Sequence, residues 1–212
     1  MTPDEIEALF TRSDGSFLCA RWGRPIAPIV FGVDDATLSV VKGAVEAVAL
    51  LAGLDVIEVD PELGANLMIF FFRDWEELLD LPDLGRLIPD LEPLVARLTA
   101  AQANQYRIFR FDDAGAIKAS FVFLRMDLHL SDVPAETLAL NQIVQTVLLW
   151  SDTAFQDRSP LAQVVGETEG VGTVILRPDI SELIRAAYDP TLPVCAQDAS
   201  HALRMFARMP QG

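Results

Sequence analysis

Three side-chain amides share one short stretch, LNQIVQ, at residues 140–145. Asn141, Gln142 and Gln145 stand at the spacing at which a zinc-binding helix carries His-Glu-x-x-His. Positions i and i+4 lie on one face of a helix, so two imidazoles placed there can close on one metal ion. A carboxylate beside the first imidazole then takes a proton from the metal-bound water. Carboxamides do neither job: they are neutral, poor zinc ligands, and Gln142 cannot accept a proton as a base would. The notch has the spacing of a metal helix without its chemistry. It reads as the remains of a site or as an ordinary helix with three amides. No catalytic residue, metal or cofactor is assigned to it.

Other reactive side chains are sparse. The only histidines, His129 and His201, lie far apart in the chain, and each reads as a structural or surface residue. Cys19 and Cys195 have no neighbouring histidine or basic cluster to lower a thiol pKa, and read as reduced, buried cysteines. No Gly-x-Ser-x-Gly elbow is present. The glycine-rich stretch GETEGVGT, residues 166–173, lacks the lysine of a phosphate-binding loop, and its two glutamates repel phosphate. It reads as a surface loop. A metal-independent hydrolase would have to draw on acids such as Asp152, Asp157, Glu167 and Glu169.

The elements that position these groups are legible from local chemistry. Thr2 and Pro3 start a short helix over 3–11. Residues 17–32 read as extended, with Pro25 and Pro28 marking an edge or a break. Asp34 or Asp35 caps a helix whose apolar positions Leu38, Val41, Val45, Val48 and Leu51 follow the helical period, and Gly53 ends it. Strands are expected over 54–60, 65–72, 105–111 and 117–130, with the Asp-Asp-Ala-Gly turn of 112–115 joining the last two. Short helices are expected after Arg73 and over 89–103. The amide helix spans about 131–150, a loop fills 152–174, and two helices close the chain. A hairpin together with a strand–helix–strand crossover predicts an α+β fold: a mixed, largely antiparallel sheet packed by helices, with long helices on either side burying the apolar 38–57 and 138–150 segments.

The chain has 212 residues, 51% of them hydrophobic, which suits a single domain with its core over about 17–208. Its formal net charge is −15. Phosphate backbones repel such a polyanion, so no nucleic acid partner is expected. The most apolar stretch, 44–57, is interrupted by Glu46 and Asp55 and too short to span a bilayer, and no secretory leader is visible at the N-terminus. A cytoplasmic protein without membrane contact is the expectation. The acidity also raises an alternative, a decoy or inhibitor of a basic protein. The acids are dispersed, however, among a full set of core positions. The oligomeric state is open.

Several stretches in order resemble a bacterial family described as zincin-like relatives of predicted zinc-dependent proteases. They are Arg21-Trp22-x-x-Pro25-Ile26, Gly32, Ala52-Gly53-Leu54, Asn66, the helix at 140–152, and ILRPDISELIRAAYDPTL at 175–192. The resemblance covers roughly 20–200. Members of that family carry Glu-Glu-x-x-Gln, then Ala-Leu-Gly and an Asn-Asp pair. Here the matching positions hold Asn141, Gln142 and Gln145, then Thr146-Val147-Leu148 and Ser151-Asp152. Both acidic residues of the pattern are gone. The resemblance implies a zincin-like fold with the catalytic chemistry removed: a pseudoenzyme that binds a protein partner in regulation or assembly. It also implies that the 166–173 loop lies near the former cleft, so that Asp152, Glu167 and Glu169 border a partner-binding groove.

Overall fold

The computed structural model describes residues 1–165 and 172–210. Helix α1 (Pro3–Phe10) begins at a capping box. The Thr2 hydroxyl accepts from the Glu5 amide at 3.2 Å, and the Glu5 carboxylate accepts from the Thr2 amide at 2.6 Å. Then come β1 (Cys19–Ala20) and β2 (Pro28–Phe31). Helix α2 (Asp35–Ala52) is capped by Asp34, whose carboxylate accepts from the Thr37 amide at 2.8 Å. It stops at Gly53, which turns left-handed at φ 67°.

Strand β3 (Leu67–Phe72) leads through a 3-10 turn (Trp75–Asp80) to α3 (Leu84–Leu87) and α4 (Leu91–Ala100). The hairpin β4 (Gln105–Phe111) and β5 (Ile117–Arg125) follows, then α5 (Leu128–Ser131) and α6 (Ala135–Val147). A second hairpin, β6 (Leu161–Val165) and β7 (Gly172–Leu176), precedes α7 (Pro178–Ala187), β8 (Cys195–Ala196) and α8 (Ser200–Phe206).

The fold is α+β with a mixed set of strand pairings. The four-stranded sheet has the order β2-β3-β5-β4. Strands β2, β3 and β5 run parallel, and β4 returns antiparallel at the edge. The two remaining pairs, β1-β8 and β6-β7, are antiparallel ribbons. Pro28 opens the other edge strand, where its missing N–H costs no ladder bond. Side chains alternate across the sheet. Leu67, Ile69, Val122 and Leu124 join α2, α6 and α7 in one core. Phe70, Phe72, Phe121 and Phe123 join Trp75, α3 and α4 in the other.

Four expectations differ from what forms. Helices α2 and α6 do not flank the sheet on opposite sides: they pack against each other on one face, leaving the other face to α3 and α4. The 54–60 stretch makes only isolated bridges, Val56 to Ile26 and Asp60 to Gly64, because its alternating apolar residues include the exposed Val59. Strand β5 ends at Arg125, since the Asp127 carboxylate caps a helical turn through the Leu130 amide at 2.9 Å. The expected loop over 152–174 contains the β6-β7 hairpin. No helix among the described residues is long and apolar enough to cross a membrane.

Asn66, one of the residues behind the resemblance, is a fully buried junction. Its carbonyl accepts from the Ala27 amide at 2.8 Å, and its amide donates to Pro25 O at 2.8 Å and to Asp60 Oδ2 at 3.0 Å. It thereby ties the start of β3 to the segment that feeds β2.

Candidate functional site

The amide notch sits on α6 where the helix faces strand β4. Alternation along β4 sends Gln105, Arg107, Phe109 and Phe111 toward α6, and Tyr106 and Ile108 toward the opposite core. An arginine in the middle of that apolar run points inward and meets the notch. Gln142, only 2% exposed, accepts through Oε1 from Arg107 Nη2 in a very short hydrogen bond. The same Nη2 donates to Gln105 Oε1 at 3.1 Å, and Gln142 Nε2 donates to Gln105 Oε1 at 3.2 Å. The three residues form a closed ring of polar groups between helix and edge strand. Asn141 and Gln145 pair with each other one turn apart, Gln145 Nε2 donating to Asn141 Oδ1 at 2.6 Å.

Arg107 carries a charge that no carboxylate among the described residues pairs with. It makes no ion pair among the described residues, and its buried Nε has no hydrogen-bond partner there. Burial of the guanidinium pushes its pKa down to about 10. Carbonyl oxygens of two glutamines accept from it.

The segment after α6 forms the far wall. Leu149 N–H donates to Ala20 O and Ser151 N–H to Leu9 O, each at 2.9 Å, so the N-terminal segment pins this stretch. Trp150 stacks on Phe10 at 5.1 Å and donates its indole N–H to Val144 O at 2.8 Å. Phe155 meets Trp150 edge-on at 4.9 Å and holds a left-handed backbone at φ 64°. Asp152 accepts from the Ser13 amide at 3.0 Å and from the Ser13 hydroxyl, and these bonds hold its carboxyl below the ordinary range. Between this wall and β4 lies an open cavity of about 350 Å³, lined by Arg12, Arg107, Phe109, Phe111, Gln145, Asp152 and the two aromatic walls.

The structure thus brings Gln145 and Asp152 to one cavity, turns Gln142 into the polar ring behind it, and pairs Asn141 with Gln145. Asp157 lies outside it, on a neighbouring concavity with Arg158 and Arg177. Glu167 and Glu169 lie outside the described residues. His129 is exposed on α5 and His201 is buried on α8, with neither at the notch. No group of three His, Cys, Asp or Glu residues among the described residues could hold a metal ion.

Sequence reasoning missed Arg107 and Arg12. The available signal was Gln105-x-Arg107-x-Phe109-x-Phe111, a polar pair continuing an apolar stripe on one strand face. No family profile, curated protein or solved structure matches the chain.

Proposed function

We propose that this protein is a non-catalytic, zincin-like pseudoenzyme of the cytoplasm that binds a protein partner in regulation or assembly. The observation that carries the reading is the state of the three amides. At the positions of ligand, base and ligand, they are spent on one another and on Arg107. Gln142 serves as an interior acceptor for a guanidinium, a role that a proton-shuttling base beside a metal would not have free. The zincin-like placement rests on the ordered sequence features from Arg21 to Leu192. A binding role is supported by the cavity beside the edge strand, where aromatic walls surround a few fixed polar groups.

The test is affinity capture from native extract, comparing the wild-type chain with Phe111→Asp. Phe111 is 39% exposed at the cavity rim, so the substitution alters the surface while sparing the core. A stoichiometric partner held by the wild type and lost from the variant is the expected result. Recovery of no partner, together with turnover of peptide substrates by the purified chain, would overturn the reading.

A further inference from the structure

We propose that the cavity between β4 and the Trp150–Phe155 wall binds a single carboxylate carried on an aromatic or branched apolar body, with Arg107 and Arg12 as its cationic partners. The proposal deepens the binding role given above and rests on it.

Charge carries the argument first. In a chain of net charge −15, this cavity is lined by two guanidiniums and one carboxylate. Neither arginine makes an ion pair among the described residues. Arg12, on the turn after α1, has no side-chain hydrogen bond there either. Arg107 uses only Nη2, on two glutamine carbonyls, and its Nε is left without a partner. A half-buried cation without an ion-pair partner is costly, and an arriving carboxylate offsets that cost with charge-assisted bonds. Asp152, held on both oxygens by Ser13 and within electrostatic reach of Arg12, offsets one of the two guanidiniums. The single excess positive charge matches a monoanion. A phosphate dianion would leave one negative charge uncompensated beside Asp152.

The walls specify the rest of the ligand. Phe109, Phe111, Trp150 and Phe155 surround the cationic end. Phe155 reaches its place through a left-handed backbone, which a bulky residue rarely adopts. Its ring closes the cavity against Trp150. Aromatic faces of this kind take an aromatic or branched side chain edge-on or offset. The carboxylate can come from two sources, a polypeptide C-terminus ending in such a residue or a free carboxylic acid.

The experiment follows the Trp150 indole N–H resonance of the full chain during titration with three probes: N-acetyl-phenylalanine, its neutral N-acetyl-phenylalaninamide, and phenylacetate. Saturable binding of an acid, at least about tenfold tighter than the amide and weakened by salt, is expected. Arg107→Met and Arg12→Ala should each weaken the acid about tenfold and leave the amide unchanged. Arg12→Ala, on a surface turn, serves if Arg107→Met impairs folding. Preference for N-acetyl-phenylalanine assigns the site to a peptide terminus, and preference for phenylacetate to a free acid. Equal binding of acid and amide, or no binding of either acid at millimolar concentration, would overturn the proposal. If the captured partner persists in that case, the pocket assignment alone fails; if capture fails as well, the binding role fails with it.

Discussion

Replacing Gln142 with leucine asks whether the notch is structural. The side chain is nearly the same size and the position is 2% exposed, so packing changes little. What changes is the polar ring. Arg107 Nη2 loses one of its two acceptors and Gln105 Oε1 loses a donor. A hydrogen bond to a charged group contributes about 1.5–3 kcal/mol, and the remaining bond to Gln105 keeps the cost near the lower half, about 2 kcal/mol. For a chain of this size, each kcal/mol moves Tm by about 2–4 °C, so Q142L should melt about 4–8 °C lower. Circular dichroism melts of the wild type, Q142L, R107M and the double variant give a cycle with an interaction energy on the order of 1–2 kcal/mol. A Q142L shift within the roughly 0.5 kcal/mol range of surface substitutions, or strict additivity with R107M, would refute the closed ring.

Three further outcomes follow from buried groups elsewhere. His201 is 3% exposed, its Nδ1 has no hydrogen-bond partner among the described residues, and burial, with Arg204, Arg208 and Arg21 nearby, holds its pKa below 6.5. The unfolded chain therefore binds the proton more readily. His201 contributes full stability above about pH 6.5 and loses it as pH falls through the depressed folded value, so urea melts of His201→Gln should show a flatter decline than wild type below pH 6.5. Asn66→Leu strands the Ala27 amide and the Pro25 carbonyl in a fully buried place. It should cost on the order of 3 kcal/mol in denaturant unfolding, and a loss below about 1 kcal/mol would contradict the junction described for it. Burial pushes the Cys19 thiol up to about 12, so native protein should show no fast thiol titration at Cys19 by mass spectrometry until it is unfolded.

What the sequence revealed was chiefly local chemistry. Thr2, Asp34 and Gly53 mark helix ends because a cap is written in one or two residues, and all three act as such. The Asp-Asp-Ala-Gly turn likewise sets the β4-β5 hairpin. The stretch at 54–60 failed because alternation alone does not supply a neighbouring strand, and Ile26 offers it only one bridge. The expected placement of α2 and α6 on opposite faces failed for the same kind of reason: both are apolar enough to be buried, and periodicity does not say against what. The notch was legible as three side-chain amides on one helix. Its partner was not, because Arg107 lies 35 positions away on a strand. Only the register of β4 and β5 turns that arginine toward α6.

Zinc titration of the metal-free chain by calorimetry, alongside Asn141→Ala/Gln145→Ala, tests the claim that this helix keeps a site's spacing without its function. The account predicts no saturable binding that depends on the two amides. One equivalent of zinc bound by the wild type and lost from the double variant would contradict it and return the protein to the enzymes.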